Sequence, residues 1–259
     1  MELKNSPYIC NIIKTNSMIL VGSKAIKHHY PDFPREPKDD DYMVGSVEEI
    51  KISSRETEYL YNPVIGNLEG IADPNLLYTL KASHIVGWDI NCEKHMFDSQ
   101  FLKKKGCTLD RELFFKLYDF WNKIHEPNHR SDLDMTGEEF FDNAVKCEYD
   151  HDYIHTLLKP TPTYTKVLKD GAEVDVSEDK FNNLTFEEKC DLVREEVEVM
   201  SWERWSKKDY RVAYNMMLKK FIMNHAPIWE AIFIIENYVL LQKPIRNHFK
   251  IIESQLKNK

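Results

Sequence analysis

Gly22-Ser23 and, a short way downstream, Lys38-Asp39-Asp40-Asp41 bring together two kinds of group that phosphate chemistry requires. Backbone amides of a glycine turn at a helix start can hold phosphate oxygens, and a serine hydroxyl can add a further donor. Carboxylates can hold Mg2+ or Mn2+, which neutralises phosphate charge and orients an in-line attack. On a strand, alternate side chains share a face, so Asp39 and Asp41 point one way and Asp40 the other. A third carboxylate can join from a neighbouring strand. Glu58, in Glu56-Thr-Glu-Tyr-Leu-Tyr61, is the candidate by its position. Aspartates are also common at solvated strand starts, so the glycine turn ahead of them carries the phosphate reading.

These residues need elements to position them. Met18–Val21 is a short apolar strand, and Ser23–His29 a helix entered directly from the glycine turn, with Ser23 a candidate N-cap. Pro31, Pro34 and Pro37 stop that helix and impose an extended loop. Asp41–Val44 is the second strand, opening on the aspartates. Glu56–Tyr61 is the third, ended by Asn62-Pro63. Beyond it, helical spacing dominates. Asp73-Pro74 has the chemistry of a helix start, and Glu93–Lys105 closes on Gly106. Asp110–His125 repeats apolar residues at helical spacing, with Phe114, Phe115, Phe120 and Trp121 as core. A further helix is expected from Thr136 to about Leu158, and a hairpin turning at Asp170-Gly171. Helices then continue from Thr185 to the end.

The order of strand, Gly22-Ser23, helix, then Asp39-Asp40-Asp41 leading into Tyr42-Met43-Val44 resembles the nucleotidyltransferase superfamily, with its polymerase-β-like fold. The resemblance covers only this N-terminal motif. It implies that Asp39 and Asp41 are metal ligands and catalytic, that Gly22 and Ser23 hold nucleotide phosphates, and that Glu58 is the third carboxylate. The intervening loop, Pro31-Asp-Phe-Pro-Arg-Glu-Pro-Lys38, is richer in proline and charge than that pattern.

The helical part has polar clusters of its own. Lys81 and His84 share one helix face, Lys94 and His95 sit on the next helix, and Asp98 shares a face with His95. We expect Lys81, His84, Lys94 and His95 to wall the cleft over the sheet and contact substrate phosphates or the leaving group. His151 and His155 stand one helical turn apart, a spacing that suits a metal pair. The His151-Asp152 doublet is similar to that of HD-type metal-dependent phosphohydrolases. On that reading His151, Asp152 and His155 form an alternative metal cluster, completed by His95 or His125 and by Asp191 or Glu195. Each histidine can equally be a helix-face residue packed on aromatics.

Composition bounds the remainder. The chain has 259 residues, 42% hydrophobic and 30% charged, an ordinary globular balance. A net charge of −8 argues against strong non-specific nucleic-acid binding. Five cysteines without CxxC spacing point to reduced, packed thiols in a cytoplasmic protein. No apolar run reaches the ~20 residues that span a bilayer, so no membrane partner is expected. We therefore expect an α+β fold, with a small mixed nucleotidyltransferase-like sheet in residues 1–72 and a large, mainly α-helical portion in 73–259. The expected function is Mg2+-dependent (or Mn2+-dependent) transfer of a nucleotidyl group from an NTP to an acceptor that the sequence does not specify. The alternatives are a metal-dependent nucleotide phosphohydrolase, of 5′-nucleotidase or HD type, and a non-catalytic nucleotide-binding or interaction module.

Overall fold

The computed structural model describes residues 18–47, 50, 54, 56–66, 68–87, 92–125, 176–204, 210–222 and 226–242. The architecture is mixed, with a four-stranded sheet and a mainly helical remainder. The chain divides into two compact units, Met1–Asp73 and Pro74–Lys259.

In the first unit, β1 (Met18–Val21) runs directly into α1 (Gly22–His29), which begins at the glycine itself, one residue before the expected start. Three further strands follow: β2 (Asp40–Val44), β3 (Thr57–Tyr61) and β4 (Gly70–Ile71). The sheet order is β3-β2-β1-β4. β1 and β2 are antiparallel, with Val21 opposite Asp41, and β2 and β3 are parallel, with Asp41 level with Glu58. β4 adds to the other edge, parallel to β1. The core of this unit is small, built from Ile19, Val21, Ala25, Ile26, Phe33, Met43 and Val44.

The proline-rich loop is held rather than merely extended. Phe33 is buried at 1% exposure. Lys27 Nζ donates to the Phe33 carbonyl (2.8 Å) and pairs with Glu36 (2.9 Å). The His29 ring lies 2.9 Å from the Ala72 carbonyl, tying the end of α1 to the chain after β4. These contacts fix where β2 begins, and hence where its aspartates stand.

The second unit contains α2 (Pro74–Gly87), α3 (Cys92–Lys104), α4 (Arg111–His125), α5 (Glu178–Asn183), α6 (Phe186–Arg204), α7 (Tyr210–Lys220) and α8 (Ile228–Leu241). Their ends follow local chemistry. Pro74 opens α2, where a missing N–H costs nothing. Gly106, at φ +88, closes α3, with Cys107 N–H returning to the Leu102 carbonyl (3.1 Å). Asp110 accepts from Leu113 N–H (3.0 Å) at the start of α4. Thr185 and Glu188 form a reciprocal capping box before α6. α5, capped by Ser177, is a short helix beyond the sequence expectation.

α2 packs against α3 and α4, α8 against α3, and α6 against α7. α4 buries Phe114, Leu117 and Trp121, while Phe115 and Phe120, expected in the core, are only half-buried and Ile124 at its end is exposed. In α8 the buried half ends near a break at Asn237, whose side chain donates back to the Phe233 carbonyl (2.9 Å). The Ile235 and Glu236 carbonyls, just before the break, accept from Gln100 and Lys103 of α3. Cys92, Cys107 and Cys190 are buried thiols. Among the described residues no helix is long and apolar enough to cross a membrane. The expected helix from Thr136 to Leu158 and the turn at Asp170-Gly171 lie outside the described residues, as do Cys10 and Cys147.

Candidate functional site

The start of α1 and the start of β2 meet so closely that only glycine fits. Gly22 has φ +71, the left-handed region that side chains disfavour. A Cβ built on it would lie 1.9 Å from Asp41 Oδ2. The Asp41 carboxylate therefore lies directly over the backbone at the strand-to-helix turn. The strand register extends this arrangement. Cross-strand partners share a face, so Val21, Asp41 and Glu58 form a row across three adjacent strands.

Asp41 is half-buried and Glu58 is exposed. Asp39 is half-buried and precedes the strand, which begins at Asp40. Ser23 is buried at 3% exposure and is the second residue of α1. The N-cap is Val21, not Ser23, because the helix starts at the glycine. The N-cap residue Val21 makes no side-chain capping bond, and the first turn of α1 carries no acidic residue. Asp40 turns to the other side and pairs with Lys24 of α1. The hydrogen bond that the Lys24 ammonium donates to Asp40 raises its pKa, against the opposing effect of burial.

Among the described residues there is no group of three or more His, Cys, Asp or Glu side chains able to hold a metal ion. The donor set at Asp39 and Asp41 is of a different kind. Mg2+ usually takes one or two carboxylates and completes its shell with water and substrate phosphate. The Asp41 carboxylate over the glycine turn is a hard oxygen donor of the kind that requirement calls for, whereas a closed Zn2+-type site would need nitrogen or sulfur ligands.

The second polar set lies within the helical unit. Lys81 on α2 reaches Asp98 Oδ2 on α3 (3.1 Å) and lies 3.4 Å from His95 Nδ1. The His84 ring meets those of His95 (5.0 Å) and Trp121 (4.9 Å) edge-on. Trp121 Nε1 donates to Ser83 Oγ (3.2 Å), which donates to the Leu80 carbonyl (2.8 Å). Lys81, His84 and His95 are buried, and Asp98 is fully so. The structure thus brings Lys81, His84 and His95 together and adds Asp98, Ser83 and Trp121. Lys94 is half-buried and makes none of these contacts.

His151, Asp152 and His155 lie outside the described residues, and so does the side chain of His125. Asp191 pairs with Arg194 (3.5 Å), one turn along α6, and Glu195 is buried. The Lys24–Asp40 pair escaped sequence reasoning. Its signal was Lys24 itself, a cation placed two residues after the glycine that faces the aspartates.

The family described as a domain of unknown function, DUF7275, matches residues 76–253, well over half of the chain. The chain belongs to the DUF7275 family. The DUF7275 match starts in the first turn of α2, so Gly22, Asp39, Asp41 and Glu58 precede it and Lys81, His84 and His95 fall inside it. No curated protein and no solved structure matches the chain.

Proposed function

We propose that this protein is a Mg2+-dependent nucleotidyltransferase, acting on an NTP and an acceptor. The observation that carries the reading is the approach of the Asp41 carboxylate to Gly22, with Glu58 in register on the next strand. It supports the reading because a phosphate site of this kind needs an amide-bearing turn and a carboxylate, and Asp41 lies over such a turn.

In this reading Asp39 and Asp41 hold the ion, which when bound supplies charge neutralisation at the phosphates. The leading amides of α1 and the Ser23 hydroxyl bind phosphate oxygens, aided by the partial positive charge at the helix start. Glu58, level with Asp41 and exposed, is placed to accept the proton of an attacking hydroxyl. Asp40 takes no part, because it faces away and is paired with Lys24.

The test is product analysis with each of the four common NTPs and Mg2+. Release of pyrophosphate is expected, and it should disappear in an Asp39→Ala/Asp41→Ala double variant. Orthophosphate released from a nucleoside monophosphate would instead identify a phosphohydrolase. Activity unchanged in the double variant would remove these aspartates from the mechanism.

A further inference from the structure

Three consecutive carboxylates stand where the chain enters β2, Asp39 just before it and Asp40 and Asp41 as its first residues, and Glu56 and Glu58 flank the first residue of β3 alongside. Left alone, these charges repel one another and would splay the end of the strand. Two contacts hold it instead, and both come from the first three residues of α1. Gly22 lies against Asp41, and Lys24 pairs with Asp40. Because successive strand residues face opposite ways, these contacts grip the strand on both sides. The backbone is anchored as well, since Asp40 N–H donates to the Glu56 carbonyl (2.8 Å). The pairing of β2 with β1 and β3 fixes its path, and the Lys24–Asp40 contact acts on the orientation of its first residues.

We propose that Lys24 is a positioning residue which, by pairing with Asp40, fixes the start of β2 so that Asp39 and Asp41 present a cation site at the α1 turn. This rests on the proposed carboxylate–phosphate site, and it adds a residue that touches neither metal nor substrate. Exposure argues for orientation over stability: the Lys24 side chain is 52% exposed and that of Asp40 27%. Pairs so exposed shift an equilibrium by less than about five-fold. Lys24 therefore acts through geometry, and its effect should be read at the carboxylates rather than in global unfolding.

The sign of the effect makes it testable. If Lys24 acted only as a nearby positive charge, removing it would strengthen the attraction for a divalent cation. If it positions the strand, removing it weakens binding. Full-length protein is titrated with Mn2+ alone, and uncomplexed Mn2+ is followed by electron paramagnetic resonance. Lys24→Met is expected to weaken Mn2+ affinity by about three- to five-fold, the ceiling for an exposed pair. Lys24→Arg, which keeps charge and reach, is expected to stay within about two-fold of wild type. Adding Asp40→Asn to Lys24→Met should weaken binding no further than Asp40→Asn does alone, since both act through one contact.

Tighter or unchanged Mn2+ binding by Lys24→Met would overturn the positioning role while leaving the carboxylate site standing. Wild-type protein that takes up no Mn2+, or an Asp41→Asn variant that takes it up as well as wild type, would remove both. A variant that loses Mn2+ affinity only in proportion to a lowered melting temperature would show a merely structural pair, and would also overturn the proposal.

Discussion

In the sheet unit the carboxylates stand at strand starts, half-buried or exposed, with water at hand. In the helical unit the comparable charges are enclosed: Lys81 and Asp98 are paired at 7% and 0% side-chain exposure, within a shell of His84, His95 and Trp121. The contrast separates two uses of charge. A buried pair must be satisfied within the protein, because desolvation removes water as a partner, and so its geometry describes the core. On the proposed reading, the carboxylates at the accessible strand end beside the start of α1 are the ones that take an external cation.

The largest effect expected from this contrast is in the helical unit. Lys81→Met or Asp98→Asn each leaves half of a buried pair and should cost roughly 3–5 kcal/mol in denaturant unfolding. The double replacement Lys81→Met/Asp98→Leu should recover most of that loss, because an apolar pair needs no solvation. Equal losses for single and double variants would mean that the shell around the pair, rather than the pair itself, dominates. In the sheet unit Lys24→Met removes a similar pair from a wet surface and should leave the unfolding midpoint nearly unchanged.

Gly22→Ala comes next. The left-handed backbone alone costs about 1–2 kcal/mol with a side chain present. The new Cβ would also displace the Asp41 carboxylate, which it meets at 1.9 Å. Reduced stability with loss of Mn2+ uptake is expected. Stability lost with uptake intact would detach the glycine turn from the cation site.

The smallest effect concerns Tyr78 on α2. Burial pushes its phenol pKa well above the ordinary 10.0, with the Glu236 charge adding to it. Its hydroxyl is buried with no hydrogen-bond partner among the described residues. The unfolded chain ionises near the ordinary value while the folded chain holds the proton. The folded state therefore loses stability as pH rises above about 10, by up to about 1.4 kcal/mol per pH unit. Tyr78→Phe should remove that component and be neutral or slightly stabilising at pH 7. Identical alkaline profiles for the two proteins would show that Tyr78 ionises as easily when folded.

Much of the sheet unit was legible in the sequence because its signals are local. The apolar run Met18–Val21, the glycine turn, the three prolines and the aspartates each act on their own neighbours. β4 was not legible: Gly70-Ile71 is only two residues, and what makes it a strand is its parallel pairing with β1 far back in the chain. The row of Val21, Asp41 and Glu58 shows the same limit, since alternation assigns each side chain a face but register alone aligns the faces. In the helical unit, the shared face of His95 and Asp98 was visible from their spacing. The lysine that joins them comes from another helix, which no spacing reveals. The Lys24–Asp40 pair likewise depends on how the proline loop returns β2 to α1, a path set by the burial of Phe33 and the reach of Lys27.

The account turns on whether the carboxylate over the glycine turn binds a metal–nucleotide. The most direct measurement is calorimetric titration of wild-type protein and of Asp41→Asn with each non-hydrolysable NTP analogue, in the presence and absence of Mg2+. The account predicts that wild type binds at least one analogue only with Mg2+, and that Asp41→Asn loses this binding while keeping its melting temperature. Mg2+-independent binding, or binding unaffected by Asp41→Asn, would contradict it.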